Sequence, residues 1–484
     1  MGADLVWTWA GVAYVIDLAI RIVALGVVPR NRRPASGVAW LLAIVMIPYL
    51  GLVLFLLLGR TDIGRKRDAR QRLANARVHE VAPTIPAATL PAGTPDYVHA
   101  AATLNTNLGS LPMRAGNRVE LIPGYQQAIE AIAAEIDRAR RFVHVQYYIT
   151  AWDHATAPVY EALVRATERG VKVRLLVDHV GTSRIPGYRR FERTLNASGI
   201  EWYPMMPVRP LRGDFQRPDL RNHRKIVVVD GTVAFTGSQN LIEPSYGKPK
   251  HQKAGRRWVE LVMRCEGPLV ETLDVVFATD WLTETGEVLI DEIAIVPPER
   301  GEVCAQVIPS GPGVVAENNL RAFVTLIANA RHRVSLVSPY FVPDESLLYA
   351  VTTAALRGVE VELFVSEGKE QFMVFHAQRS YYEELLRHGV RIWLYPEPFV
   401  LHTKCFTVDD DVAVIGSSNM DMRSFALNFE VSVLLTGGDV VAQTNQVIDG
   451  YRALSRELVL QEWLTRPLRH QYLDNVLRLT AALQ

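Results

Sequence analysis

The chain has 484 residues, 49% of them hydrophobic, and its 52 Lys and Arg against 51 Asp and Glu leave a net charge of +1. That length can bury the core of two or three domains, and the balanced charge excludes the global basic field of a nucleic-acid binder. Cys265, Cys304 and Cys405 are too few and too scattered for a disulfide framework or a zinc site. No Walker A loop, Gly-x-Gly-x-x-Gly fingerprint or His-Glu-x-x-His helix occurs, so nothing calls for a metal, a nucleotide or another cofactor.

Residues 5–28 are apolar except for Asp17 and Arg21, which stand four apart and can pair on one helix face. Residues 37–58 carry no charge and are interrupted only by Pro48 and Gly51, a run long enough to span a bilayer. Together residues 1–60 read as a two-segment helical membrane hairpin. Asp4 rather than a basic residue precedes the first run, which disfavours a cleaved signal peptide. Arg30, Arg32 and Arg33 separate the segments; Arg60, Arg65, Lys66, Arg67, Arg70 and Arg72 follow the second. The larger basic cluster favours a cytoplasmic catalytic body on a multi-pass anchor, while Pro48 leaves room for a re-entrant second segment. Residues 61–114 are a basic, helix-forming stretch followed by an Ala/Pro-rich linker. The basic stretch suits either anionic lipid or plain solvent.

From about residue 115 the chain repeats itself. Ala139-Arg140-Arg141-Phe142-Val143 is echoed by Ala330-Arg331-His332-Arg333-Val334, and Arg169-Gly170-Val171 by Arg357-Gly358-Val359. Gly199-Ile200-Glu201-Trp202-Tyr203-Pro204 is echoed from Gly389 to Pro396. Each half, 115–300 and 301–484, reads as alternating helices and strands ending in a motif strand, an α/β unit with a mixed sheet. A pseudo-twofold between two such units brings the motif strands face to face. The first half carries extra residues at 205–215, apolar and interleaved with arginine, and a basic insertion at 248–257. Either suits a lipid surface or an ordinary solvated loop. The tail from Gly438 onward reads as two helices.

The two motifs are His223, Lys225, Asp230 and Gly237-Ser238-Gln239-Asn240, and His402, Lys404, Asp409 and Gly416-Ser417-Ser418-Asn419, in identical spacing. At roughly 5% usage per residue type such a pattern recurs by chance about once in 10⁷–10⁸ windows. On a strand, positions i and i+2 share a face, so each lysine accompanies its histidine, and each aspartate falls on the opposite face and reads as structural. A neutral imidazole can attack phosphorus, a protonated one can serve a leaving alcohol, and lysine, Ser and Asn suit phosphate oxygens. One motif supplies half of that machinery; two supply all of it.

This paired His-x-Lys-x4-Asp pattern resembles the phospholipase D superfamily, and with Arg221-Asn222-His223-Arg224-Lys225 and the apolar N-terminus the chain is similar to the membrane-bound bacterial cardiolipin synthases. The resemblance implies two pseudo-twofold phospholipase D-like units and a catalytic set of His223, Lys225, Asp230, His402, Lys404 and Asp409. Ser238, Asn240, Ser417 and Asn419 would support the phosphate. It also implies carboxylates that hold the histidines across the halves, Glu430 to His223 and Glu260 to His402; the histidine-to-glutamate spacing is 37 residues in the first half and 28 in the second. The implied reaction transfers a phosphatidyl group from one phosphatidylglycerol to another through a phosphatidyl-histidine, releasing glycerol, without metal. The implied location is the bacterial inner (cytoplasmic) membrane, with phosphatidylglycerol and anionic lipids as partners, no nucleic acid, and oligomeric state open. A hydrolase releasing phosphatidic acid, or a membrane-tethered nuclease, would use the same residues.

Overall fold

Short β-branched runs make the strands, and many are buried along their whole length: Phe142–Tyr147, Ile226–Val229, Val233–Gly237, Cys405–Val408 and Val412–Gly416. Such burial needs cover on both faces of a sheet. The computed structural model describes residues 2–30, 34–59, 63–209, 214–289, 297–314 and 317–481. Its fifteen-stranded mixed sheet runs outward from the middle in two series. One is Arg114–Ile122, Val262–Glu266, Val233–Gly237, Ile226–Val229, Phe142–Tyr147, Lys172–Asp178 and Glu201–Met205. The other is Val303–Ser310, Glu430–Thr436, Val412–Gly416, Cys405–Val408, Arg333–Val337, Glu360–Ser366 and Arg391–Tyr395, with Arg456–Leu458 added at its edge.

The two series have the same order, which is the sequence repeat in three dimensions. They are not two sheets, however. Arg114–Ile122 pairs antiparallel with Val303–Ser310, so each half covers the open edge of the other.

Helix Leu269–Thr285 buries Leu269, Leu273, Phe277 and Trp281, a stripe four residues apart. Its last carbonyls, of Thr283, Glu284 and Thr285, accept hydrogen bonds from the Arg70 guanidinium at 2.9–3.2 Å. Arg67 pairs with Glu284 at 2.7 Å. Of the basic helix Arg65–Val81, Arg70 thus caps a helix C-terminus, where positive charge is favoured, and Arg67 is held by a carboxylate beside it. Arg65, Lys66 and Arg72 stay exposed. In the tail, Val440–Leu454, Leu460–Leu464 and Leu468–Arg478 are three helices rather than the expected two, and Arg456–Leu458 between the first two is drawn into the sheet edge.

Residues 2–63, together with 217–219, form a separate compact unit. Its first helix, Gly2–Val27, carries the Asp17–Arg21 ion pair at 2.8 Å. The uncharged second run does not make one helix. It divides into Pro34–Met46 and Pro48–Leu54, continued by a π-turn at Phe55–Gly59, because Pro48 has no amide hydrogen to continue the ladder and forces Ile47 out of the helical region (φ −136°). Beyond this break the chain doubles back so closely that a Cβ on Gly51 would lie 2.4 Å from the Ala43 carbonyl oxygen. Among the described residues no helix is long and apolar enough to cross a membrane, which corrects the expectation of a span over 37–58. Trp9, Tyr14, Ile22, Leu25, Leu42 and Met46 are nonetheless each more than half exposed. Arg32, Arg33, Arg60 and residues 210–213 of the first extra segment lie outside the described residues.

Candidate active site

Each motif histidine sits just before its strand, not within it: the strands begin at Ile226 and Cys405. What holds them there is the other half of the chain. The His223 amide donates to the Phe429 carbonyl at 2.8 Å, and the His402 amide to the Val259 carbonyl at 2.8 Å. Those acceptors immediately precede Glu430 and Glu260. Each carboxylate therefore arrives beside the opposite histidine: Glu430 Oε1 lies 3.1 Å from His223 Nδ1, and Glu260 Oε1 lies 2.8 Å from His402 Nδ1. Asn428 adds its side-chain amide 3.2 Å from His223 Nδ1. With Nδ1 engaged, Nε2 is the nitrogen each ring presents outward. The histidine side chains are 18% and 12% exposed and both glutamates 0%, so the rings are reachable and their partners are sealed.

The Gly-Ser-x-Asn segments explain why the glutamates stay fixed. Ser238 Oγ donates to Glu260 Oε2 at 2.6 Å, and Ser417 Oγ to Glu430 Oε2 at 2.5 Å. The preceding glycines permit this approach, since a Cβ at Gly237 or Gly416 would stand 2.3 Å from a carbonyl oxygen of the neighbouring strand. Both serines thus serve the carboxylates. Asn240 is likewise occupied, accepting from the Ile149 amide at 3.2 Å and donating to Tyr246 Oη at 2.8 Å. Asn419 differs: it is 6% exposed and its Oδ1 has no hydrogen-bond partner.

Lys225 and Lys404 each donate from Nζ to the carbonyl of their own histidine, Lys404 at 2.6 Å. Burial lowers the proton affinity of both lysines, against the pull of Glu430 and Glu260, and brings Lys404 to about 7. Burial also lowers both imidazoles, His402 to about 4, although the facing glutamates work in the opposite direction. Glu430 is held below the ordinary carboxylate range because His223, Lys225 and Ser417 outweigh the cost of its burial. Lys225 and Lys404 each feel both glutamates, and His402 feels both lysines, so the two motifs share one electrostatic field. Burial thus works against the charged form of both imidazoles and both ammonium groups, and a nearby anion would counter it.

Asp230 and Asp409 do not join this cluster. Asp230 accepts from the backbone amides of Arg140, Arg141 and Phe142 at 2.7–3.0 Å, and Asp409 from those of Arg331, His332 and Arg333 at 2.8–3.0 Å. Both adopt a left-handed backbone (φ +52° and +51°), a conformation Asp tolerates, and so turn each motif hairpin while tying it to the adjacent strand. These backbone contacts occupy both carboxylates within their hairpins.

Other residues of the site carried no local sequence signal. The Tyr148 ring lies 4.0 Å from the His223 ring and under the Lys225 ammonium. Asp178 accepts the Asn222 amide at 3.0 Å, and Asp280 takes Arg224 at 2.7 and 2.8 Å, both from outside the motif.

A family model described as "Cardiolipin synthase, PLD-like domain" matches residues 132–281 and 323–451, and one described as phospholipase D-nuclease N-terminal matches 19–60. Cardiolipin synthase A of Serratia proteamaculans (strain 568) is 35% identical over 474 residues, covering 95% of each chain. Cardiolipin synthase A of Proteus mirabilis (strain HI4320) is 34% identical over 461 residues, covering 92% of each. The crystal structure of phosphatidylserine synthase from Haemophilus influenzae Rd KW20 superposes with a TM-score of 0.61 at 14% identity, covering 79% of this chain and 99% of that one, a likeness of fold. With two phospholipase D-like domains meeting at one pair of His–Glu clusters and relatives matched over nearly their full length, the chain belongs to the cardiolipin synthase family of phospholipase D-like enzymes.

Proposed function

We infer that the chain is a phosphatidyltransferase that makes cardiolipin and glycerol from two molecules of phosphatidylglycerol. The observation that carries this is the convergence of His223–Glu430 and His402–Glu260, each with a buried lysine, on one field suited to a phosphodiester. His223, its Nδ1–H directed to Glu430, attacks phosphorus through Nε2. As that P–N bond forms, the P–O bond to glycerol breaks and His402 delivers a proton to the departing oxygen. A second phosphatidylglycerol then gives its hydroxyl proton to His402, and its oxygen displaces His223 from phosphorus. Lys225 and Lys404 neutralise the phosphoryl oxygens. An arriving phosphodiester anion offsets the lysine charge and raises the proton affinity of His402, which makes a ring that is neutral in the empty site into an acid.

The same reading assigns residues 1–60 to the membrane anchor, 61–114 to a basic connector, and 115–300 and 301–484 to the two catalytic halves. Exposed apolar side chains on the N-terminal unit support a lipid-embedded hairpin whose second segment re-enters at Pro48, with the body on the cytoplasmic side of the inner membrane. Incubation of the purified protein with phosphatidylglycerol alone, followed by lipid mass spectrometry, tests the activity. Cardiolipin with one glycerol per turnover is expected. Phosphatidic acid as sole product would identify a hydrolase instead.

A further inference from the structure

The two catalytic histidines are not equivalent, and the difference is written in the nine extra residues between His223 and Glu260. They lengthen the stretch between Asn240 and Glu260 into a loop at 243–257, where the other half has only residues 420–429 with the short helix Met422–Ala426. This loop is braced: Glu243 accepts from the amides of Ser245 and Gly247 at 2.9 and 2.6 Å, and His251 Nδ1 lies 3.1 Å from the Ser245 carbonyl oxygen. Tyr246 reaches inward to Asn240. The loop then enters Arg257–Val259, which pairs in parallel with Phe399–Leu401, so the two strands run side by side into Glu260 and His402.

Between loop and strand pair is a cavity of about 680 Å³. Glu260, which is buried, and Phe399, which is 40% exposed, both line it. Arg256 and Arg257 line it, and among the described residues neither guanidinium has a carboxylate partner within 4 Å. The acidic groups on the same wall are committed elsewhere, Glu243 to its own loop and Glu260 to His402. Arg257 precedes Glu260 by three residues, and both line the cavity.

We propose that this cavity is the subsite for the acceptor lipid, with Arg256 and Arg257 binding the acceptor's own phosphodiester so that its terminal glycerol hydroxyl meets His402. This rests on the transferase reading and deepens it. In the transfer step the P–N bond to His223 breaks as the acceptor oxygen bonds phosphorus, and the hydroxyl proton passes to His402. A phosphate anchor explains how a lipid hydroxyl competes with abundant water for the phosphatidyl-enzyme.

The test uses the full-length protein with a phosphatidyl donor carrying a 4-nitrophenol leaving group, and either phosphatidylglycerol or free glycerol as acceptor. In Arg256→Gln/Arg257→Gln the phosphatidylglycerol concentration for half-maximal transfer should rise about tenfold, the loss of one charge-assisted contact or more. Phosphatidic acid should replace the missing cardiolipin, and preference for phosphatidylglycerol over glycerol should fall by the same factor. Arg256→Lys/Arg257→Lys should recover most of that preference, which a merely misfolded loop would not. An unchanged preference, or loss of nitrophenol release in proportion to cardiolipin, would overturn the assignment. Should the unaltered protein make cardiolipin from neither donor, the transferase reading fails first and this one with it.

Discussion

In the proposed mechanism Glu260 and Glu430 act on different protonation events, and pH separates them. The Glu260 charge raises the proton affinity of His402, so Glu260→Gln lowers it further and the alkaline limb of the kcat profile should move to lower pH. Glu430 raises the affinity of His223, which must be neutral to attack, so Glu430→Gln should move the acid limb to lower pH. Each should also cost about 10²–10⁴ in kcat, measured across pH 5–9 as a rough working range. Opposite assignments of the two limbs would exchange the roles of the histidines. Anion binding carries its own signature. Burial brings Lys404 to about 7 in the empty site, so an anion that restores its charge should take up protons above that pH and fewer below it. Calorimetry of sulfate binding, an anion that does not titrate in this range, in two buffers of different ionisation enthalpy measures this; no uptake on the alkaline side would contradict the lowered proton affinity of Lys404. The motif residues were legible because their spacing recurs in the linear chain. Tyr148, Asp178 and Asp280 were not, because they meet the motif only through the sheet and through helix Leu269–Thr285, with no fixed offset to betray them.

At the scale of elements, the aspartates of the two motifs belong to the hairpins. Asp230→Ala removes the acceptor of three backbone amides and places alanine in a left-handed turn, which should cost about 1–3 kcal/mol of stability. Asp230→Asn should cost less, since asparagine tolerates the same backbone. Thermal unfolding should show both, while turnover per folded molecule stays within about twofold. A large loss of kcat in a fully folded Asp230→Asn protein would return the residue to the chemistry. The alternation of helices and strands in each half was readable from hydrophobic runs and repeated turns. That the two sheets are one was not, because Arg114–Ile122 and Val303–Ser310 look like any other edge strands until they pair. Residues 37–58 show the reverse: composition alone suggested one helix, and the single residue Pro48 divides it.

On the scale of the whole molecule, the proposal is that the apolar N-terminal unit holds the catalytic body at lipid, on its cytoplasmic side. Cysteines engineered at 250–255 should resist an impermeant reagent applied to intact cells, and ready labelling there would reverse the orientation. Exhaustive chelation should leave turnover intact, because buried lysines already supply charge to the phosphate; loss restored by one particular metal would require another mechanism. The central claim is a covalent phosphatidyl-His223 formed and resolved with help from His402. It is tested most directly by trapping with the 4-nitrophenol donor, whose leaving group needs little acid assistance, followed by peptide mass spectrometry. His402→Ala should accumulate an adduct on His223, and His223→Ala should accumulate none. An adduct on His402, or none in either variant while cardiolipin synthesis persists, would contradict the account.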